Sequence, residues 1–146
     1  MATYGYVNTQ TLQVGAPAIL ENIRPCNRRP QRVLHDNMSP IVTLRGIVNS
    51  PCNAGAQYKV SFSGNIAVAT GGTVGEIDLA LSVEGYIYPL TIAAATPAAV
   101  GDFWHVSGDT NIDVPTGCCK TVTVVNASAN TAIDVRNLNV EVDRKA

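Results

Sequence analysis

Charge is scarce in this chain. Of its 146 residues only 14% are Asp, Glu, Lys or Arg, and they cancel to a net charge of −1. No global field therefore draws it toward nucleic acid. No apolar run approaches the roughly 20 residues needed to cross a bilayer, so no membrane partner is expected. The opening residues, Met1 to Tyr6, are neither basic nor followed by an apolar stretch. No secretory signal is read there, and a cytoplasm is the expected place of synthesis. No Gly-x-Ser-x-Gly elbow is present to activate a serine. Histidine occurs only at His35 and His105, and an acid–base or metal role would need partners gathered on one face. No segment shows helical periodicity.

Cysteine is present but fits no metal pattern. Cys26 and Cys52 sit in identical Pro-Cys-Asn triplets, and Cys118 and Cys119 are adjacent. None of this matches the C-x2-C spacing of a zinc site. Four cysteines allow three pairings. A reducing cytoplasm favours free thiols, and a Cys26–Cys52 bridge formed after release is the alternative. No cofactor or metal is expected.

What the chain does have is a period of two. In residues 57–69, Tyr58, Val60, Phe62, Ile66 and Val68 share one face with Gly64, while Gln57, Lys59, Ser61, Ser63 and Asn65 share the other. Only a pleated strand holds that period over thirteen residues. One dry face and one polar face predict an antiparallel all-β fold with a core. A chain of this length is most simply one domain. Shorter strands are predicted at 10–14, 32–36, 41–45, 76–84, 86–94, 102–106, 112–114, 119–126 and 132–142, with turns at 108–111 and a connection at 93–101. Turn signals every ten residues or so favour a sandwich or barrel. In the last strand Ile133 and Val135 are odd, whereas Leu138, Val140 and Val142 are even. A β-bulge near Arg136-Asn137 is predicted to reconcile them.

The charge that exists is uneven. Residues 1–50 hold Arg24, Arg28, Arg29, Arg32 and Arg45 against Glu21 and Asp36. A basic front on an acidic remainder suggests that the front meets something negative, and a solvated loop is the other reading of the same run. Asp109, Asn111 and Asp113 alternate but lack the glycine and distal glutamate of a calcium loop, so a solvated turn is expected. Phe103 and Trp104 are adjacent and face opposite sides of a strand. One is expected in the core and the other at a subunit contact.

The order of these elements resembles the trimeric jelly-roll modules of the tumour-necrosis-factor and C1q type, as they occur in phage structural proteins and in spore-filament heads. The matching residues are Gly15-Ala-Pro-Ala-Ile19, then His35 with Ile41–Leu44, then Gly55-Ala-Gln-Tyr58-Lys-Val60-Ser-Phe62. Leu79–Gly85 follows, and the pair Val122–Asn126 and Leu138–Val142 closes the pattern. No collagen-like stalk precedes them. The resemblance implies a single-domain antiparallel jelly-roll sandwich with an extended N-terminal arm, residues 1–32 forming the arm and edge strands and 33–146 the jelly roll. It also implies a homotrimer. The expected function is a non-enzymatic phage virion protein that decorates or cements the capsid. Arg24, Arg28, Arg29 and Arg32 would dock on the major capsid protein or another virion protein. The alternative is a receptor- or glycan-binding head of a fibre, with Tyr86, Tyr88 and Trp104 as stacking candidates.

Overall fold

The computed structural model describes residues 2–24, 32–47, 55–117 and 119–145. They form β1 (Ala2–Tyr6), β2 (Gln10–Leu12), β3 (Glu21–Arg24), β4 (Val33–Leu34), β5 (Val42–Arg45), β6 (Gly55–Val68) and β7 (Ile77–Val83). After β8 (Tyr86–Ile87) comes a single 3-10 turn, Pro89–Thr91, then β9 (Ala93–Ala95), β10 (Trp104–Pro115), β11 (Cys119–Asn126) and β12 (Ile133–Arg144). All pairings are antiparallel. One sheet runs β10-β6-β12-β1-β3, with β2 also on β12. The other runs β4-β5-β11-β7-β8, with β9 also on β7. This is an all-β jelly-roll sandwich.

The core lies between the sheets. Tyr58, Val60, Phe62, Ile66 and Val68 of β6 are all buried, as their alternation requires, and they meet Leu79, Leu81, Val122 and Val124 of the second sheet in one cluster. In β7 even the intervening Ala80 and Ser82 are buried, so this strand is covered on both faces. The bulge in β12 is present: its register against β6 shifts between Arg136 and Asn139. Asn137 there adopts φ 53°, in the left-handed region that asparagine tolerates.

Three expectations are corrected. The opening segment, expected as an arm and edge strands, is not a free arm: β1 pairs with both β12 and β3, Ala2 and Tyr4 are core residues, and β3 stands at the edge of the sheet. Its alternation is short and masked by Gly5. The turn expected at 108–111 does not exist, because β10 is continuous from Trp104 to Pro115 and pairs residue by residue with β6. Gly108 marks a tight fit instead. A Cβ there would lie 2.9 Å from the Phe62 ring and 2.9 Å from the Thr91 carbonyl oxygen. The connection expected at 93–101 begins as strand β9, paired with β7.

Asn126 ties the sandwich at the end opposite its termini. It is fully buried. Its side-chain amide donates to the carbonyls of Leu12 and Thr131, both at 3.0 Å, and its side-chain oxygen accepts from the Ser128 N–H at 2.9 Å. A buried amide with its groups paired fixes the approach of three chain segments.

Candidate functional site: the basic end of the sandwich

Strand register carries basic residues from distant parts of the sequence to one end. Arg24 closes β3 opposite Thr3. Arg32 leads into β4, and its carbonyl accepts the backbone N–H of Arg45, at the end of β5, at 2.8 Å. Cys119 pairs with Arg45 and Lys120 with Leu44. Arg144 ends β12 opposite Tyr58, and Lys59 stands opposite Asp143. The N–H of Lys145 donates to the Gln57 carbonyl. Among the described basic residues, Arg136 alone belongs to the other end, where Asp134, Glu76, Asp78 and Asp102 lie.

Tyr58 organises this end. It is fully buried, and its hydroxyl donates to the Arg45 carbonyl at 2.6 Å, with the Arg32 carbonyl 3.1 Å away. The Arg144 guanidinium lies 5.9 Å from its ring centroid, within cation–π range. One aromatic ring thus links the first sheet to β4 and β5 of the second.

Of the four arginines expected to form a docking surface, Arg24 and Arg32 come to this end, and Arg28 and Arg29 lie outside the described residues. Sequence reading missed Arg45 as part of the group, and missed Lys120, Arg144 and Lys145 altogether. Each sits at a strand terminus, which the alternation shows. That these termini coincide in space depends on strand order, which the alternation does not show.

Beside this end, the outward face of β10, β6 and β12 forms a trough of about 540 Å³ lined by Ser61, Ser63, Ser107 and Asn139, with Lys59, Asp109 and Glu141 at its sides. Lys59 Nζ lies 3.4 Å from Asp109, an exposed pair that contributes little to stability. Asp109 and Asp113 thus stand on a strand face rather than in a turn. Asp113 accepts from Gln57 at 3.2 Å. Among the described residues, no group of three His, Cys, Asp or Glu could hold a metal ion.

Across the free edge of β10 the surface turns apolar. Leu90, in the 3-10 turn, is 97% exposed and Tyr86 is 78% exposed, with Ile87 and Ile92 also open. The three aromatic stacking candidates do not come together. Tyr86 pairs with Val83, near the basic end, and Tyr88 packs against the core. Trp104 lies at the far end, opposite Ile66. Neither Phe103 nor Trp104 enters the core, since β10 only begins at Trp104. Phe103 lies under the Arg136 guanidinium, 3.9 Å from ring centroid to Cζ, and the Trp104 Nε1–H donates to Asp102 at 3.0 Å.

Both histidines are held by neighbours. His35 packs on the Tyr4 ring at 4.6 Å between centroids, with its ring nitrogens at the Asn22 side-chain oxygen and the Ser39 carbonyl. His105 meets the Asn65 side chain. Of the cysteines only Cys119 is described, and it is exposed.

Asp78 is held clearly away from its ordinary protonation range. Burial raises its pKa, and the Glu76 charge and a hydrogen bond with Glu76 raise it further. Its Oδ1 is buried without a partner. The folded state therefore holds this proton more tightly than the unfolded chain does. The resulting stability is present below the unfolded pKa and is lost as pH rises through the folded one. Asp78→Asn is expected to raise the denaturation midpoint at pH 7 and to lose that advantage in acid. A variant less stable than the parent at pH 7 would contradict this account.

No family model matches the chain, and no curated protein matches it in sequence. Solved structures do match its fold. The TNF protein Eiger from S. frugiperda superposes with a TM-score of 0.67 at 10% identity, covering 100% of this chain and 92% of that one. The globular domain of zebrafish complement 1qA gives 0.56 at 13% identity, covering 97% and 96%. Murine APRIL gives 0.53 at 11% identity, covering 92% and 96%. The sandwich is therefore a TNF/C1q-like jelly roll.

Proposed function

We propose that this chain is a non-enzymatic, self-associating module: a homotrimeric decoration protein of a phage virion that docks on the shell through its basic end. The observation that carries this reading is the gathering of Arg24, Arg32, Arg45, Lys120, Arg144 and Lys145 at one end of a rigid sandwich of near-zero net charge. Arginine suits contact with a protein surface rich in carboxylates, because its planar fork pairs bidentately with them. The major capsid protein, or another virion protein, is the partner. The virion is the working location, after assembly in the bacterial host's cytoplasm. The phage assignment rests on the resemblance carried by the sequence motifs.

Self-association is supported by two unlike surfaces that flank β10. The exposed Leu90 turn projects on one side and the small-residue trough opens on the other. Unlike patches on one molecule make head-to-tail contacts, which close into a ring when the rotation allows. Leu90 stands with the exposed Tyr86, Ile87 and Ile92, and grouped apolar exposure, rather than a single residue, is what favours an interaction site.

Replacing Arg24, Arg28, Arg29 and Arg32 together by alanine is expected to weaken attachment to shells by about tenfold or more and to leave the assembly mass unchanged. Attachment equal to the parent's would discard the docking role. Electron microscopy of virions should show knobs spread over the shell. Density confined to a tail tip would replace this reading with a receptor-binding head.

A further inference from the structure

Another cavity opens at the edge of the second sheet. It holds about 390 Å³ and is lined by Leu34, His35, Asp36, Ser39, Ile41 and Thr43. Small-molecule sites run from roughly 300 to 1,000 Å³. β4 forms this edge, whereas β8, which leads into the Leu90 turn, stands at the opposite edge of the same sheet. The cavity therefore lies on neither of the surfaces that flank β10.

A strand pair and a pinned turn build it. Leu34 stands opposite Thr43. Val33 and Val42 enter the core, so Leu34, Ile41 and Thr43 share the outward face. The turn is closed by the Ser39 N–H, which donates to the Asp36 carbonyl at 3.0 Å, and the Met38 N–H ties it to the Leu20 carbonyl at 2.9 Å. The Asn37 side-chain oxygen accepts the Asn22 N–H at 2.9 Å. His35 is fixed between the Asn22 side chain and the Ser39 carbonyl, with its ring on Tyr4. Met38 is held at φ 68°, uncommon for a residue with a side chain, so these ties impose the turn's shape. Walls fixed in advance lose little freedom when a ligand enters.

The polar groups on those walls are open to a ligand. Neither the Asp36 carboxylate nor the Thr43 hydroxyl has a hydrogen-bond partner among the described residues. Ser39 Oγ accepts the Ile41 N–H at 3.2 Å, which leaves its O–H free to donate. Leu34 and Ile41, 36% and 46% exposed, add aliphatic surface. An apolar ligand would strip water from the carboxylate and hydroxyls and return no hydrogen bonds. A cation would meet the positive potential of Arg45, two residues beyond Thr43 on β5, and an anion would meet Asp36. A neutral ring bearing hydroxyls on its rim and C–H groups on its face fits every wall. We propose that this pocket binds a hexose ring, as a free sugar or as the end of a glycan. The ring's hydroxyls donate to Asp36 and accept from Ser39 and Thr43, while its C–H face lies on Leu34 and Ile41. The pocket is independent of the virion reading.

The test is an NMR titration of the intact, isotope-labelled protein with glucose, galactose, mannose and N-acetylglucosamine, with sorbitol as an acyclic control. At least one sugar is expected to shift the amide signals of residues 34–43 saturably, with a Kd of about 1–10 mM. Asp36→Asn keeps the size and removes the charged acceptor, and it is expected to weaken that affinity about tenfold. Thr43→Val keeps the shape and removes the hydroxyl, with a loss of about threefold or more expected. If one variant fails to fold, the other and the parent titration still decide. No saturable shift up to about 50 mM, equal shifts with sorbitol, shifts confined to other residues, or parental affinity in the folded variants would overturn the proposal. The methyl glycosides of the bound sugar separate the sources: binding at least as tight as that of the free sugar indicates a glycan end, and weaker binding a free sugar. Both results uphold the pocket.

Discussion

Replacing Asn126 by alanine is expected to remove about 3–5 kcal/mol of stability, a large share of the roughly 5–15 kcal/mol that holds a domain folded. The residue is fully buried, and its side chain makes three hydrogen bonds, all to backbone groups. Truncation leaves the Leu12 and Thr131 carbonyls and the Ser128 N–H facing a small void. Each buried orphan costs about 1–3 kcal/mol, and the void prevents water from serving all three. The backbone of Asn126 also exchanges hydrogen bonds with Gly15 and Ala16, so the loss should loosen the 10–18 segment with it. Denaturant titration measures the effect as a shift in midpoint, with hydrogen exchange locating it. A loss below about 1 kcal/mol would show that the amide is not the tie described.

Leu90→Glu is expected to convert the proposed trimer into a monomer without altering the fold. Leu90 is almost wholly exposed in the isolated chain and makes no contribution to its core. A carboxylate there should be neutral for the folded monomer, yet costly once buried against a neighbour without a partner. Ser63→Arg attacks the same contact from the trough, where a long charged side chain would fill the space lined by Ser61, Ser107 and Asn139. Light scattering should give three times 15.4 kDa for the parent and a single chain for either variant, with unchanged circular dichroism. A parent that runs as a monomer would remove the trimeric reading, and trimeric variants would move the interface elsewhere.

Strands with an uninterrupted alternation were legible from sequence alone. β6 shows this best, since every apolar residue of its odd–even pattern is buried. The bulge in β12 was equally legible, because one extra residue is what returns both halves of a phase-shifted strand to the same face. Gly108 misled, because glycine is the usual mark of a turn. Here it is required by the Phe62 ring on the facing strand, a contact 46 residues away in sequence that local pattern cannot reveal. Trp104 misled for a related reason: alternation gives a side chain's face but not whether the opposite sheet extends far enough to cover it. The basic end was half legible. The run from Arg24 to Arg32 stood out by density, whereas Arg45, Lys120 and Arg144 are isolated in sequence and join it only through strand order.

The separation of charge along the sandwich also governs how the molecule arrives. With a net charge of −1, a distant charged surface exerts almost no pull on the molecule's centre. Cations outnumber carboxylates at the arginine end, although Asp113 and Asp143 also lie there, and carboxylates prevail at the other end; the molecule is therefore a dipole, and an external field turns a dipole before contact. Near an anionic surface it should therefore present the arginine end first, narrowing the orientational search that slows most protein encounters. That torque acts over roughly a Debye length, about 8 Å at physiological salt. The association rate should accordingly fall with added salt, although the protein as a whole is nearly neutral.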